Sequence, residues 1–469
     1  MKEVAPLIVS ISGIRGIAGK SLTSEIIHNF AAAFASWLPP HSGVVLARDT
    51  RPSGADFAST AASALAAHGC DLFDLGIAST PAAKLMVGEL GAAGALILTA
   101  SHNPAEWNGL KLVRSDGVFL NGEQGSQVEA LYLSGEFRQD PADTIGQIKS
   151  VSRADVHKAY LGRILRDIDT DRIRSARLKV AVDPCNGAGC VFLPELMSEL
   201  GVEAVFINAE PNGDFAHEPE PIPANLRQLG DAVVANGCAV GFAVDPDADR
   251  VALVAEDGQP VGEDFTLALA VSAVTSRQRG PVVTTLSTSQ IVSDAAAAND
   301  CPVVLTPVGE VHVVEQMIAA GAVIGGEGNG GVILTDIVPG RDAAVGIVLL
   351  LEALASSATG SLGALVSRLP RYIIEKRKVT CTTQQLAHTV TALQRRYPDA
   401  YTHPVVDGVK LYFSGKLECP WVHLRASNTE PVVRIIAESS SANEAAALCD
   451  EVERSCSGGT DWAIPAPCW

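Results

Sequence analysis

The stretch AVGFAVDPDADR, residues 239–250, is an apolar run of strand length that stops abruptly at three aspartates. Two other stretches share its plan: GALILTASHNP (94–104) and GAVIGGEGNGG (321–331). Each comes after an earlier apolar strand: VVLARD (44–49), KVAVDP (179–184) and VVTTLS (282–287) respectively. Helix-like segments rich in small and apolar residues lie between, such as FASTAASALAAHG (57–69) and VFLPELMSELG (191–201). Strands alternating with helical patterns imply α/β units with largely parallel sheets. In such sheets ligands gather beyond the carboxyl ends of the strands. The loose repeat therefore predicts three similar mixed-sheet α/β domains, each offering one loop to a central cleft.

The last hundred residues read differently. PRYIIEKRKVTC (370–381) and CPWVHLRASNTEPVVRIIAES (419–439) are strand-like, with helical patterns beside them at 383–397 and 441–456. They predict a smaller C-terminal α+β domain. The expected boundaries are 1–150, 151–257, 258–370 and 371–469, with an irregular tail at 458–469.

Composition narrows the class of function. The chain has 469 residues, 47% apolar and 19% charged, with a formal net charge of −18. Nucleic acids and anionic membranes need a basic surface, so neither is an expected partner. No apolar run reaches the roughly 18 residues of a membrane helix; AAVGIVLLLEALA (343–355) reads as a buried helix interrupted by Glu352. The start lacks a secretory leader's pattern, so the expected location is cytoplasmic. Ten scattered cysteines without a Cys-x-x-Cys pair read as buried free thiols rather than disulfides or zinc ligands.

Four loops carry chemistry. Asp245, Asp247 and Asp249 alternate, and in extended chain they would face one way. Such hard oxygen donors suit Mg²⁺. A calcium EF-hand is excluded, because Arg250 stands where its glycine is required. Ser101 and His102 lack the Gly-x-Ser-x-Gly elbow of a hydrolase. A serine opposite a metal loop is better placed to carry a phosphoryl group, although a plain turn uses the same residue types. In GGEGNGG (325–331) the glycines permit close backbone approach, and Glu327 and Asn329 offer hydrogen bonds to sugar hydroxyls; a bare glycine turn is the other reading. In RASNTEPVVR (425–434), Arg425, Ser427, Asn428 and Thr429 make either a phosphate cradle or a capped turn. Arg434 is a second contact or an ordinary ion-pair partner. Near the start, PLIVSISGIRGIAGKS (6–21) misses the Walker pattern, since Ile14 stands where a glycine is needed.

In this order the four loops resemble those of the α-D-phosphohexomutase family, over nearly the whole chain; TASHNP and DPDADR are its most specific motifs. The resemblance implies four domains around a central cleft. It implies an isomerase that interconverts hexose 6-phosphate and hexose 1-phosphate through a phosphoserine, with a hexose 1,6-bisphosphate as intermediate and activator. Ser101 would be the phosphoserine, and its phosphate with Asp245, Asp247 and Asp249 would hold Mg²⁺. Arg250 would lie beside it. Arg15, His102 and Lys111 are the acid/base and charge-stabilising candidates, Lys111 the leading general base. Glu327 and Asn329 would contact sugar hydroxyls; Arg425, Ser427, Asn428 and Thr429 would grip the distal phosphate, with Arg434 beside them. Many bacterial members carry Gly-Glu-x-Ser-Gly-His in the sugar loop, whereas residues 326–331 here read GEGNGG. With PVGEVHVVE (307–315), that loop is closer to phosphoglucosamine mutases, and phosphoglucomutase/phosphomannomutase is the alternative. A P-loop-like NTPase and a non-catalytic sugar-phosphate binding protein are the readings from other classes. A monomer or homodimer is expected.

Overall fold

Three of the four sheets share one strand order, and the three quoted loops occupy the same corner in each. A computed structural model describes residues 6–10, 13–138, 145–403, 408–426 and 432–456. In the first sheet Gly94–Leu98 runs parallel to Gly43–Arg48, then turns back as the antiparallel strand Trp107–Arg114. In the second, Val240–Val244 runs parallel to Lys179–Asp183 and returns as Val251–Ala255. In the third, Ile324–Glu327 runs parallel to Val282–Thr285 and returns as Gly331–Ile333. A parallel strand flanks each unit on its other side: Asp71–Ile77, Glu203–Phe206 and Val303–Thr306. The first sheet adds Ile8–Ser10 and Gly13–Ile17 at one edge and Ile148–Ser150 at the other.

The strands leading into the first two loops are buried along their whole length. Strands covered on both faces have no reason to alternate, which is why they read as unbroken apolar runs. The helix Ala343–Ser356 is buried at ten positions, from Ala343 to Leu351 and again at Leu354. Asp342 starts it by accepting from the N–H groups of Ala344 (2.8 Å) and Val345 (3.2 Å). One continuous apolar core extends through these three domains, from Val45 through Leu253 to Leu362.

The fourth sheet is antiparallel, in the order Ile373–Thr380, Val432–Ser439, Trp421–Ala426, Val409–Tyr412, Tyr401–His403. The helices Thr383–Arg396 and Ala442–Cys456 accompany it, and Leu411, Val422, Leu424, Ile435, Leu448 and Val452 form a core of its own. Nine cysteines lie among the described residues, all free thiols and all but Cys419 buried. No helix among the described residues is long and apolar enough to cross a membrane.

Candidate active site

Beyond Leu98 the chain leaves its strand, and Ser101 adopts φ 50°, a left-handed conformation uncommon for a non-glycine residue. The turn is held from below. Thr99 Oγ1 accepts from the Ser101 N–H (2.9 Å) and donates to Asp49 Oδ2 (2.6 Å). Arg51, 1% exposed, donates from Nε to Asp49 Oδ2 (3.0 Å) and from its terminal nitrogens to the carbonyls of Ser101 (2.6 Å), Asn103 (2.6 Å), Trp107 (2.8 Å) and Pro104. Sequence reasoning passed over this clamp. Its signal was the pair Asp49 and Arg51 at the carboxyl end of VVLARD.

Held this way, the Ser101 hydroxyl donates to Asp245 Oδ2 at 3.1 Å, across the boundary between the first two domains. The three aspartates converge, each offering an oxygen within 4.8 Å of the others, and all are buried. They do not converge by extended alternation, as the spacing predicts. DPDADR is a tight turn with Ala248 at φ 56°, and Asp245 Oδ1 ties it by accepting from the N–H groups of Asp249 (3.0 Å) and Arg250 (3.1 Å). Lys111 Nζ lies 2.5 Å from Asp247 Oδ2 and 3.3 Å from Asp249 Oδ2. Thr80 Oγ1 also donates to Asp247 Oδ2 (2.6 Å), and Arg341 to Asp249 Oδ2 (2.7 Å). Both Asp245 oxygens are thus hydrogen-bonded, whereas Asp247 and Asp249 are occupied only at Oδ2 and their buried Oδ1 atoms accept no hydrogen bond. Burial and the charges of Asp249 and Asp247 push Asp245 well above the usual carboxylate range. Crowded, bare, hard oxygens are the donor set a divalent cation takes, so the residues fit a metal.

The other expected residues surround this cluster. Arg250 is 8% exposed and lies 3.5 Å from Asp249 Oδ1 and 3.9 Å from Asp245 Oδ2. Arg15 reaches Asn103 Oδ1 at 3.4 Å. Burial, Arg250 and Arg15 push the His102 imidazole down to about 3, so it is neutral at pH 7; its Nε2 lies 3.9 Å from Glu220. Burial disfavours the Lys111 ammonium, but Asp247 and Asp249 outweigh it and raise its pKa above the ordinary lysine value. Lys111 therefore sits in the site as a cation and His102 as a neutral ring.

The glycine-rich loop at 325–331 is tied inward. Glu327, 4% exposed, pairs with Arg341 (2.5 Å) and accepts from the Gly309 N–H (3.2 Å). Asn329 donates to Glu327 Oε2 at 3.4 Å. The glycines have a packing reason. A Cβ at Gly331 would lie 2.3 Å from Arg341 Cδ, and one at Gly328 would lie 2.1 Å from Asp264 Oδ1. The loop is glycine-rich because two buried-facing charged side chains press against its backbone.

The fourth domain presents a different surface. Ser427, Asn428 and Thr429 lie outside the described residues. Arg425 and Arg434 are directly opposite one another on adjacent strands, and Lys378 is opposite Arg434 on the next. Arg377, one residue away on the other face, pairs with Asp450 (2.5 Å) and Glu453 (3.1 Å) of the helix Ala442–Cys456. The Lys378–Arg434–Arg425 row is thus on the face without helices. That face docks on the third domain: Lys410 donates to the Leu286 carbonyl (2.6 Å), and Glu438 accepts from Ser289 Oγ and from the Gln290 N–H (2.9 Å). Lys378 is absent from the expected site, since nothing local in EKRKVTC distinguishes one lysine from another.

Family models match along the chain in the order of the four domains. They are described as phosphoglucomutase/phosphomannomutase alpha/beta/alpha domain I (residues 7–139), domain II (158–258), domain III (262–372) and the C-terminal domain (378–455). The chain belongs to the phosphoglucomutase/phosphomannomutase family. Among its relatives, a phosphoglucomutase/phosphomannomutase of Thermococcus kodakarensis is 36% identical, the match covering 92% of this chain and 94% of that one. A phosphoglucosamine/phosphogalactosamine mutase of Sulfurisphaera tokodaii is 30% identical, over 94% of this chain and 97% of that one. Among solved structures, a family member from Burkholderia thailandensis superposes with a TM-score of 0.84 at 26% identity, covering 97% of this chain and 98% of the other.

Proposed function

We propose that this enzyme interconverts hexose 6-phosphate and hexose 1-phosphate by two phosphoryl transfers through Ser101. The observation that carries the reading is the Ser101 hydroxyl 3.1 Å from Asp245, at the edge of three buried, converging carboxylates. Asp245, Asp247 and Asp249, with a phosphate on Ser101, are the residues that would hold Mg²⁺. That ion supplies Lewis acidity and neutralises charge on a phosphoryl oxygen when bound.

In the first transfer the Ser101 phosphoryl group passes to the free hydroxyl of a hexose monophosphate. The P–Oγ bond breaks as the sugar oxygen bonds to phosphorus, the sugar hydroxyl's proton passes to a base, and the departing Oγ takes up a proton to become the Ser101 hydroxyl. A hexose 1,6-bisphosphate results. After turning in the cleft, it returns its other phosphate to Ser101 Oγ. The isomer leaves and the phosphoserine is restored. Positioning and electrostatics do most of the work in such transfers. Lys111, held charged by Asp247 and Asp249, and Arg250 stabilise the moving phosphoryl group. His102, kept neutral, has a ring nitrogen able to accept a proton; Lys111 acts as base only after losing its carboxylate partners. Arg15 aids by adding positive charge. Glu327 and Asn329 read sugar hydroxyls, and Arg425, Ser427, Asn428, Thr429 and Arg434 hold the phosphate that is not reacting.

Glucosamine phosphate is the proposed substrate. The loop Gly328–Asn329–Gly330–Gly331 supports it, as does the name of the Sulfurisphaera relative. Glucose and mannose phosphates are the second reading, favoured by the Thermococcus relative at 36% identity. The test compares interconversion of glucosamine, glucose and mannose phosphates with a trace of the matching bisphosphate. A preference for glucosamine phosphate is expected, and equal rates on all three would overturn the choice. Intact-mass analysis checks the phosphoserine: one added phosphate, absent from Ser101→Ala, is expected.

A further inference from the structure

Arg341 belongs to none of the motifs singled out above, yet it joins two of them. It directly precedes Asp342, the residue that caps the helix Ala343–Ser356 and accepts from the Tyr160 hydroxyl at 2.7 Å, so its backbone is fixed. Arg341 is 8% exposed, and its guanidinium reaches three carboxylates on two domains. Asp249 Oδ2 lies at 2.7 Å, Glu327 Oε2 at 2.5 Å and Glu310 Oε2 at 3.2 Å. Glu310 in turn pairs with Lys84 of the first domain, whose buried ammonium sits 4.2 Å from the centre of the Phe119 ring. The sugar loop and the aspartate loop are therefore the two prongs of a single buried fork.

We propose that Arg341 is a positioning residue that couples the sugar-contacting Glu327 to the cation-binding carboxylate Asp249. This rests on the reading of the site given above. A planar guanidinium presents donors in fixed directions and holds two carboxylates at once. Occupied at Oδ2 by that fork, Asp249 keeps Oδ1 without a hydrogen bond, 3.5 Å from the Arg250 guanidinium. A lysine ammonium is a point charge on a flexible stem and cannot hold both partners in the same geometry. The fork also shares one positive charge among several anions. When Glu327 loses its charge, Arg341 is less compensated and turns more of its field on Asp249. Asp249 then binds a cation less tightly, although Glu327 itself is unchanged in shape.

The test is a double-mutant cycle read by Mg²⁺ titration calorimetry on the full-length protein phosphorylated at Ser101, with the phosphate confirmed by intact mass in every variant. It compares the parent, Glu327→Gln, Arg341→Lys and the double variant, with thermal melts to show that each is folded. Glu327→Gln is expected to weaken Mg²⁺ binding about fivefold in the parent and less than about twofold beside Arg341→Lys. An equal effect in both backgrounds, or no effect in the parent, overturns the coupling while leaving the metal site standing. Failure of the parent to bind Mg²⁺ overturns the reading of the site and the coupling with it. If Arg341→Lys does not fold, Arg341→Gln is judged by the same criterion. A second readout is the kinetic split: Arg341→Lys should raise KM for the hexose phosphate as well as lower kcat, whereas a purely structural change would lower the folded fraction and leave KM in place.

Discussion

The centre shared by the first three domains and the helix-free face of the fourth are charged on opposite plans. In the centre nearly every buried charge faces its opposite: Lys111 faces Asp247 and Asp249, Arg341 faces Asp249, Glu327 and Glu310, and Lys84 faces Glu310. On the fourth sheet Lys378, Arg434 and Arg425 stand in a row, like charge opposite like. A balanced buried network keeps its shape without a ligand, because losing any member leaves a charge stranded in low dielectric. That row gathers charge of one sign, with Lys378 and Arg434 exposed and Arg425 half-buried, and an anion would offset it. The two regions thus differ in kind: one balances its charges internally, and the other gathers charge of one sign on a single sheet face. The cores follow the same division: one apolar cluster runs through all three domains, beside smaller ones within each, whereas the fourth domain's core is its own.

The sharpest break of this comparison is at Ser101. Ser101→Ala should lower turnover by on the order of 10⁴-fold or more while the protein stays folded, since only one side-chain hydrogen bond is lost. A coupled mutase assay and a melt check both halves. Next is Lys111→Met, which leaves two buried carboxylates facing one another. It should cost about 100-fold or more in kcat and about 3 kcal/mol in stability, measured by chemical denaturation. The fourth domain should respond in the opposite sense. Arg434→Gln and Lys378→Gln should each raise KM for the hexose phosphate about tenfold, by weakening grip on the non-reacting phosphate. Stability should hold or rise by up to about 1 kcal/mol as like-charge repulsion is relieved. A fall of several kcal/mol would show that the row is compensated after all.

The smallest effect belongs to the seam between the two regions. Half-buried Asp264 accepts from the Ser289 N–H at 2.9 Å, and Ser289 in turn meets Glu438 of the fourth domain. Burial raises Asp264 to about 7; the Ser289 hydrogen bond and Lys376 work against the shift, and Glu438 and Glu263 add to it. The folded protein then holds a proton there that the unfolded chain has released. Stability should fall as pH rises from about 4 to 7, by about 1 kcal/mol or less per unit given the partial exposure. Asp264→Asn should flatten that slope in denaturation curves collected at several pH values.

Much of this architecture was legible before any coordinates. Strands buried on both faces announce themselves as continuous apolar runs, and three of them end in loops too polar for their surroundings. What escaped was of two kinds. The geometry of DPDADR was misjudged, because period-two alternation is also compatible with a turn, and only the backbone at Ala248 distinguishes them. The partners Arg51, Arg341 and Lys378 were missed, because each is a lone basic residue whose meaning depends on something distant in sequence.

The amino-acid sequence by itself determined the repeated strand-and-loop pattern, the separate fourth domain and the polar and glycine-rich composition of the loops at the strand ends. Those follow from local periodicity and local composition, which a linear reading can count. Only the tertiary structure decided which charge answers which: that Arg341 bridges Asp249 and Glu327, that Lys111 stands as a cation, and that Lys378 joins Arg425 and Arg434. The reason is physical. A buried ion pair depends on a few ångströms between side chains from different domains, and the chain carries no local pattern for that distance.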